Sequence, residues 1–219
     1  MIGLQLDAPG PLRVVALGAH ADDLEIGAGG LLAQLAASGA DVTWVVLSAS
    51  GTRAAEARAS AATLLAGSAS QRIEIRDARE RYFPYDPGIK EQFDALGREV
   101  APDLVVAPRL EDRHQDHSTV ASLAWQTFRG AMILEYEIPK YEGDLGSSNV
   151  YCPLSSQAAE AKIAHLMRSF PSQAARSWYT EDTFRAILRL RGIECGAPEG
   201  FAEAYTARKL VLHPGGNGR

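Results

Sequence analysis

The segment A-H-A-D-D-L-E-I-G-A-G-G at residues 19–30 follows directly on the apolar run L-R-V-V-A-L at 12–17, which Pro11 and Gly18 bound. A short unbroken apolar run between two breakers is the pattern of a strand buried on both faces. From Ile26 onward, Ile26, Leu31, Leu32 and Leu35 recur at helical spacing until Gly39. The segment is therefore a strand-to-helix turn, and it carries His20, Asp22, Asp23 and Glu25.

The same alternation continues outward. Residues 41–47 (D-V-T-W-V-V-L) read as a second strand, rich in β-branched and aromatic residues. An Ala- and Arg-rich helix is predicted over 52–66, a strand over 72–76, and a helix over 89–100 closed by Pro102. A fourth buried strand is predicted at 103–107, a helix at 117–129 and a strand at 131–136. Strands alternating with helices of this length imply an α/β fold, a mostly parallel sheet covered on both faces. Beyond Tyr136 the order changes. A loop, I-P-K-Y-E-G-D-L-G, leads to a short strand near 149–152, helices over 156–170 and 180–191, and a last strand expected at 207–212. This is a smaller C-terminal β/α portion. The chain is expected to form one domain over 1–219, with a disordered tail from about residue 214.

Composition narrows the function. The 219 residues are 46% hydrophobic and 22% charged, with a formal net charge of −5. That balance, with arginines scattered among acidic residues, argues against a nucleic-acid partner, which needs clustered cations. The two cysteines, Cys152 and Cys195, form no Cys-x-x-Cys pair and read as small reduced residues. No signal-peptide pattern and no long apolar span are visible, so the expected location is cytoplasmic, without membrane insertion.

A second polar cluster, E-D-R-H-Q-D-H-S-T-V at 111–120, follows the fourth strand and brings His114, Asp116 and His117. Taken alone, each cluster could simply cap a helix. Together they hold three of the chain's five histidines, both at the carboxyl ends of buried strands, where open parallel sheets bind ligands. Helix capping does not require that. A catalytic zinc does, because it takes three His, Asp or Glu ligands and keeps one position for water. His20, Asp23 and His117 would form such a set. Asp22 could then take a proton from the activated water. His114 could assist an oxyanion or a leaving nitrogen, and Asp116 could fix the tautomer of a histidine. A phosphate cradle fails on charge: the Gly-rich turn has no G-x-G-x-x-G, and its acidic residues would face a pyrophosphate.

These residues resemble the paired signatures of the PIG-L/LmbE-like N-deacetylases. A-H-A-D-D-L-E-I-G-A-G-G is similar to A-H-P-D-D-E-x-x-G-x-G-G, and H-Q-D-H to H-x-D-H. The stretches V-V-L-S-A-S-G-T-R and P-D-L-V-V-A-P-R extend the likeness, as do Y-E-I-P, S-Q-A-A-R and A-E-A-Y. The resemblance implies a Rossmann-like, metal-dependent hydrolase that removes an N-acetyl group from N-acetylglucosamine-type units. Such units occur in glycolipid precursors, thiol precursors and antibiotic sugars. The implied mechanism is attack by a zinc-bound water, with Fe²⁺ or Co²⁺ able to stand in for Zn²⁺. It assigns His20, Asp23 and His117 to the metal, Asp22 to the base, and His114 with its neighbour Asp116 to the reacting groups. The implied partner is a small N-acetylated sugar or glycoconjugate, and self-association is left open. Ala21 and Leu24 depart from the family's proline and frequent acidic residue, at positions that are not ligands.

Arg53 and Asp77 resemble sugar-contacting positions. Tyr136, Glu137 and Trp178 have weaker claims. Trp44 and Trp125 are expected in the core, and His165 and His213 outside the site. The competing readings are a family member acting on a non-sugar amide and a metal-binding homologue without turnover.

Overall fold

A computed structural model describes residues 3–6 and 8–212. His213 and the C-terminal tail lie outside the described residues. Seven strands form one sheet in the order β3-β2-β1-β4-β5-β7-β6. They are β1 (Arg13–His20), β2 (Asp41–Ser48), β3 (Ser70–Ile75), β4 (Leu104–Pro108), β5 (Met132–Tyr136), β6 (Val150–Leu154) and β7 (Phe201–Thr206). The first five are mutually parallel; β7 runs antiparallel to β5, and β6 antiparallel to β7. Among the described residues there are six α-helices: α1 (Asp23–Ala37), α2 (Gly51–Leu64), α3 (Pro87–Glu99), α4 (Gln115–Thr127), α5 (Ser156–Ser169) and α6 (Glu181–Cys195).

The two-residue period of the strands divides the core. Val14, Ala16, Val42, Trp44, Val46, Leu104 and Val106 pack with α1, α2, α5 and α6 on one face. Val15, Leu17, Val45, Leu47, Val105 and Ala107 pack with α3 and α4 on the other. The chain runs outward from β1 through β2 to β3, then returns to place β4 on the other side of β1. The boundary between β1 and β4 is thus a switch point, where loops at the carboxyl ends diverge and leave a crevice. Both polar clusters sit at that boundary.

The expected α/β architecture is present, with two shifts. β1 continues past Gly18 to His20, and α1 starts at Asp23, so the turn is very short. The last strand is β7 at Phe201–Thr206, not 207–212. Its signal was masked by the fully buried Glu203, an unusual residue for a strand interior.

Nearly all of the first half of α1 is buried, so its glycines are packing residues. A Cβ on Gly27 would overlap the Tyr136 ring, and one on Gly30 would lie 2.9 Å from Leu154. Glu203 accepts from the backbone N–H of Gly30 and Leu31, and from Lys162 Nζ and the Tyr205 hydroxyl. Lys162 also donates to the Ile26 carbonyl. The helix bearing the first cluster is therefore held from behind by the C-terminal strands and α5. We expect Gly27→Ala to destabilise the fold by about 1–3 kcal/mol through overpacking. Gly29→Ala, whose Cβ would meet only the Lys162 methylenes at 3.9 Å, should be neutral or gain up to about 1 kcal/mol of helix propensity. Urea unfolding of both variants checks the contrast; equal losses would refute it.

Candidate active site

His20 ends β1 and Asp22 occupies the N-cap of α1, yet the Asp22 side chain makes no capping hydrogen bond. Its carboxylate lines a cleft of about 450 Å³ instead, with Arg53 of α2 3.7 Å away. The Asp23 carboxylate folds back and accepts from the His20 backbone N–H at 2.8 Å. Across the β1–β4 boundary, His114 is the N-cap of α4, and His117 lies in its first turn.

Three atoms meet at the floor of the cleft. His20 Nδ1 is 3.1 Å from His117 Nε2. Asp23 Oδ2 is 3.3 Å from His117 Nε2 and 3.6 Å from His20 Nδ1. Tetrahedral zinc with bonds of about 2.0–2.1 Å requires donor separations of about 3.3 Å, so this triangle has the right size. The tautomers agree. The other nitrogen of His20, Nε2, lies 3.0 Å from Asp116 Oδ2. The other nitrogen of His117, Nδ1, lies 2.9 Å from Asp112 Oδ2. Carboxylates accept only, so each outer nitrogen carries the proton and each inner nitrogen is left with a lone pair. With both rings neutral, three acceptors face one another, an arrangement that a proton on His117 Nε2 or a bound cation relieves.

His114 also brings a ring nitrogen within 4.8 Å of nitrogens on His20 and His117. Its Nδ1, however, accepts from the Asp116 backbone N–H at 3.3 Å. The proton of the neutral ring therefore sits on Nε2, which suits a donor rather than a ligand. Burial, aided by the neighbouring His117 and His20, lowers the His114 pKa and keeps the ring neutral.

The charges of the pair of aspartates diverge. Burial and the adjacent Asp23 raise the Asp22 pKa to about 6, against the pull of Arg53. For Asp23, burial acts upward but is outweighed by His117 and His20, which hold the carboxyl well below the usual range. Burial likewise opposes protonation of His117, yet Asp23 and Asp112 raise its pKa to about 10.

The structure brings His20, Asp22, Asp23, Arg53, His114 and His117 to one cleft. Asp116 is fully buried behind it, bonded to His20 and to the backbone N–H groups of Arg81 and Phe83. Its place is that of a holder. Asp77 is exposed, bridged to Ser48, and outside the cleft lining. Its backbone is bound into the sheet edge, and the chain reaches the cleft only further on, at Glu80 and Arg81. Tyr136 and Glu137 also turn away, to the Leu17 carbonyl and to Arg191. Trp178 does line the cleft. Trp44 is core, whereas Trp125 is half-buried and donates to Glu135. His165 is buried against Ser60.

Two contributions were missed from sequence. Asp112 orients His117 and is itself held by Lys140, which also pairs with Asp144. Its position five residues before His117 was the available signal. The second is a far wall built by Lys140, Tyr141 and Glu142 from the loop after β5 and by Gln173, Arg176 and Trp178 after α5.

Residues 15–128, slightly more than half of the chain, match the model of the PIG-L family, described as GlcNAc-PI de-N-acetylase. The chain belongs to that family. Its fold is shared with N,N'-diacetylchitobiose deacetylase from Pyrococcus horikoshii, at a TM-score of 0.72 and 20% identity over 89% of this chain and 83% of that one. It is shared with the conserved protein TT1542 from Thermus thermophilus, at 0.75 and 21% over 93% and 97%. GalB, the 4-carboxy-2-hydroxymuconate hydratase from Pseudomonas putida, matches at 0.72 and 17% over 93% and 99%. Among the described residues no helix is long and apolar enough to cross a membrane.

Asp112→Ala would remove the acceptor that fixes the proton on His117 Nδ1. We expect folded protein whose affinity for Zn²⁺ or Co²⁺, measured by chelator competition, falls about 10–100-fold. Unchanged affinity would show that Asp112 does not set the tautomer.

Proposed function

We propose that the chain is a divalent-metal-dependent N-deacetylase that hydrolyses the acetamide of an N-acetylated amino sugar or amino-sugar conjugate. The observation that carries this reading is the His20–Asp23–His117 triangle beside a carboxylate that does not cap its helix, Asp22, and an imidazole N–H, His114. Family membership supports it. The shared fold does not decide it, since a hydratase has that fold too.

The residues fit a cation by size and by lone-pair direction; His20, Asp23 and His117 would hold it. When bound, such a cation makes water a better nucleophile near neutral pH and draws charge from an acyl oxygen. The remaining steps belong to the side chains. Asp22, close enough to the triangle to feel Asp23 and unoccupied by capping, accepts a proton from the attacking water. As the acetyl carbon becomes tetrahedral, its oxygen gains negative charge, and His114 Nε2–H is the neutral donor available to it. Loss of the C–N bond requires a proton on nitrogen, and the proton collected by Asp22 can be returned there. The balance is acetamide plus water giving amine plus acetate. Arg53 sits against Asp22 and favours its ionised form. Trp178 offers a flat apolar face to a sugar ring.

The test is amine release from a panel of N-acetylated sugars by protein of known metal content. We expect about one ion per chain and loss of activity on exhaustive chelation. Asp22→Asn should keep its metal and turn over about 10²–10⁴-fold more slowly. His114→Ala should keep its metal and lose about 10²–10³-fold. Asp23→Asn and His117→Ala should fail at metal binding. Full activity after chelation would sink the metal mechanism, and metal loss in Asp22→Asn but not Asp23→Asn would exchange the two roles.

A further inference from the structure

Lys140 lines the cleft, yet its charge is already engaged. An ammonium group has three N–H donors. Three carboxylate oxygens take them: Asp112 Oδ2 at 2.9 Å, Asp144 Oδ1 at 2.8 Å and Asp144 Oδ2 at 2.9 Å. The side chains of Lys140, Asp112 and Asp144 are 8%, 3% and 6% exposed. A buried ammonium with all its donors used has none left for a substrate. Lys140 is a tie, and it joins two parts of the cleft.

The first part is the metal triangle. The oxygen that Lys140 grips, Asp112 Oδ2, also lies 2.9 Å from His117 Nδ1. Asp112 Oδ1 accepts from the His114 backbone N–H at 2.8 Å. One carboxylate thus sets the ring of His117 and the backbone of His114. The second part is the wall segment 138–146. Between β5 and β6 the described residues form no helix or strand, so the segment is held by contacts with the rest of the chain. Asp144 Oδ2 accepts from the Arg113 backbone N–H at 2.8 Å, and the Asp144 carbonyl accepts from Arg109 Nη1 at 2.9 Å. Arg191 donates to the Gly146 carbonyl at 3.0 Å. The Tyr141 hydroxyl lies 3.2 Å from Ser177 Oγ, which joins this segment to the second wall segment, after α5.

Resting on the metal reading of His20, Asp23 and His117, we propose that Lys140 is a positioning residue that couples occupancy of the triangle to the order of the far wall of the cleft. A cation on His117 Nε2 stops the ring from turning or changing tautomer. The Nδ1–H is then fixed on Asp112 Oδ2, Asp112 on Lys140, and Lys140 on Asp144. Such coupling is reciprocal: by as much as the cation orders the segment, the ordered segment tightens the cation. Metal loading therefore precedes completion of the wall against which a substrate packs.

The experiment uses the full chain with Co²⁺ alone as the probe. Two quantities are read: Co²⁺ affinity by chelator competition, and hydrogen exchange of the amides of residues 140–146 with and without Co²⁺. In the unaltered protein, Co²⁺ should slow that exchange at least about 5-fold. Lys140→Met keeps the apolar stem and removes the donors. Its affinity should fall about 3–30-fold, and the Co²⁺-dependent slowing should disappear. Lys140→Arg returns a cation to Asp112 and should recover most of the affinity. Asp144→Asn leaves Lys140 on Asp112 but loosens the segment, so its affinity should fall about 2–5-fold although Asp144 contacts none of the three donors. Should Lys140→Met fail to fold, the exchange of the unaltered protein and the affinity of Asp144→Asn decide the matter. Exchange that is the same with and without Co²⁺, or unchanged affinity in Lys140→Met or Asp144→Asn, overturns the coupling and leaves the metal site standing. An unaltered chain that binds no Co²⁺ overturns the metal reading and the coupling with it.

Discussion

Two imidazoles can aim their inner nitrogens at one point, 3.1 Å apart, only because each has its outer N–H tied to a buried carboxylate. Release either carboxylate and the ring is free to rotate or to change tautomer, and the triangle is gone. Both carboxylates come from one short segment, the loop after β4 and the first turn of α4. Asp112 serves His117 within the same segment, and Asp116 reaches across to His20 on the neighbouring strand end. The segment 112–117 therefore supplies a donor atom, its orienting group, and the orienting group for His20 at the end of β1. That economy needs β1 and β4 to be adjacent and parallel, which is what the reversal of strand order provides. Asp23 and Asp112 draw the His117 ring toward its protonated form and raise its pKa to about 10 against burial. Proton and metal compete for one place.

The second requirement is a rigid α1. Its first turn carries Asp23, and a small tilt would move one corner of the triangle. The helix lies so close to the sheet that glycine is required where Tyr136 crosses it. Behind it, Lys162 and Glu203 form a buried ion pair whose remaining hydrogen-bonding capacity is met by backbone groups of α1 and by Tyr205. A pair satisfied this fully can be tolerated in the core, and removing one partner would strand a buried charge. Both residues lie beyond residue 128, where the family match ends. The C-terminal portion thus braces the chemistry encoded in the first half, besides supplying the far wall of the cleft.

How far sequence reaches follows from these same residues. The parallel sheet was legible because each strand is a short apolar run and each helix follows at fixed spacing. The meeting of His20, Asp23 and His117 was legible because His and Asp recur at two strand ends with no stabilising reason to do so. Asp112 was overlooked because an aspartate in a polar loop is ordinary; only its contact with His117 gives it meaning. β7 was displaced because Glu203 interrupts the apolar pattern, and its partner Lys162 is forty-one residues away. The cleft wall at 138–142 and 173–178 has no periodicity to read, since loops are placed by tertiary contacts. Arg81 lines the cleft without a local signal in the sequence, because its position depends on its contacts with Asp116 and Gln115.

Asp22 shows where local stability and function part. An aspartate at a helix N-cap ordinarily accepts a backbone N–H and contributes about 1 kcal/mol. Asp22 occupies that position and does not cap. It is buried, next to another carboxylate, with its pKa raised to about 6. By every local rule this is an unfavourable arrangement, and the fold has an obvious alternative in turning the side chain back onto the helix. What opposes that turn is the neighbouring cation, Arg53, 3.7 Å away, together with the short strand-to-helix connection that already commits Asp23 to the His20 backbone. A carboxylate kept from its stabilising hydrogen bond, and only weakly acidic, retains basicity. That is the property a group needs if it must collect a proton from water and give it up again to a departing nitrogen.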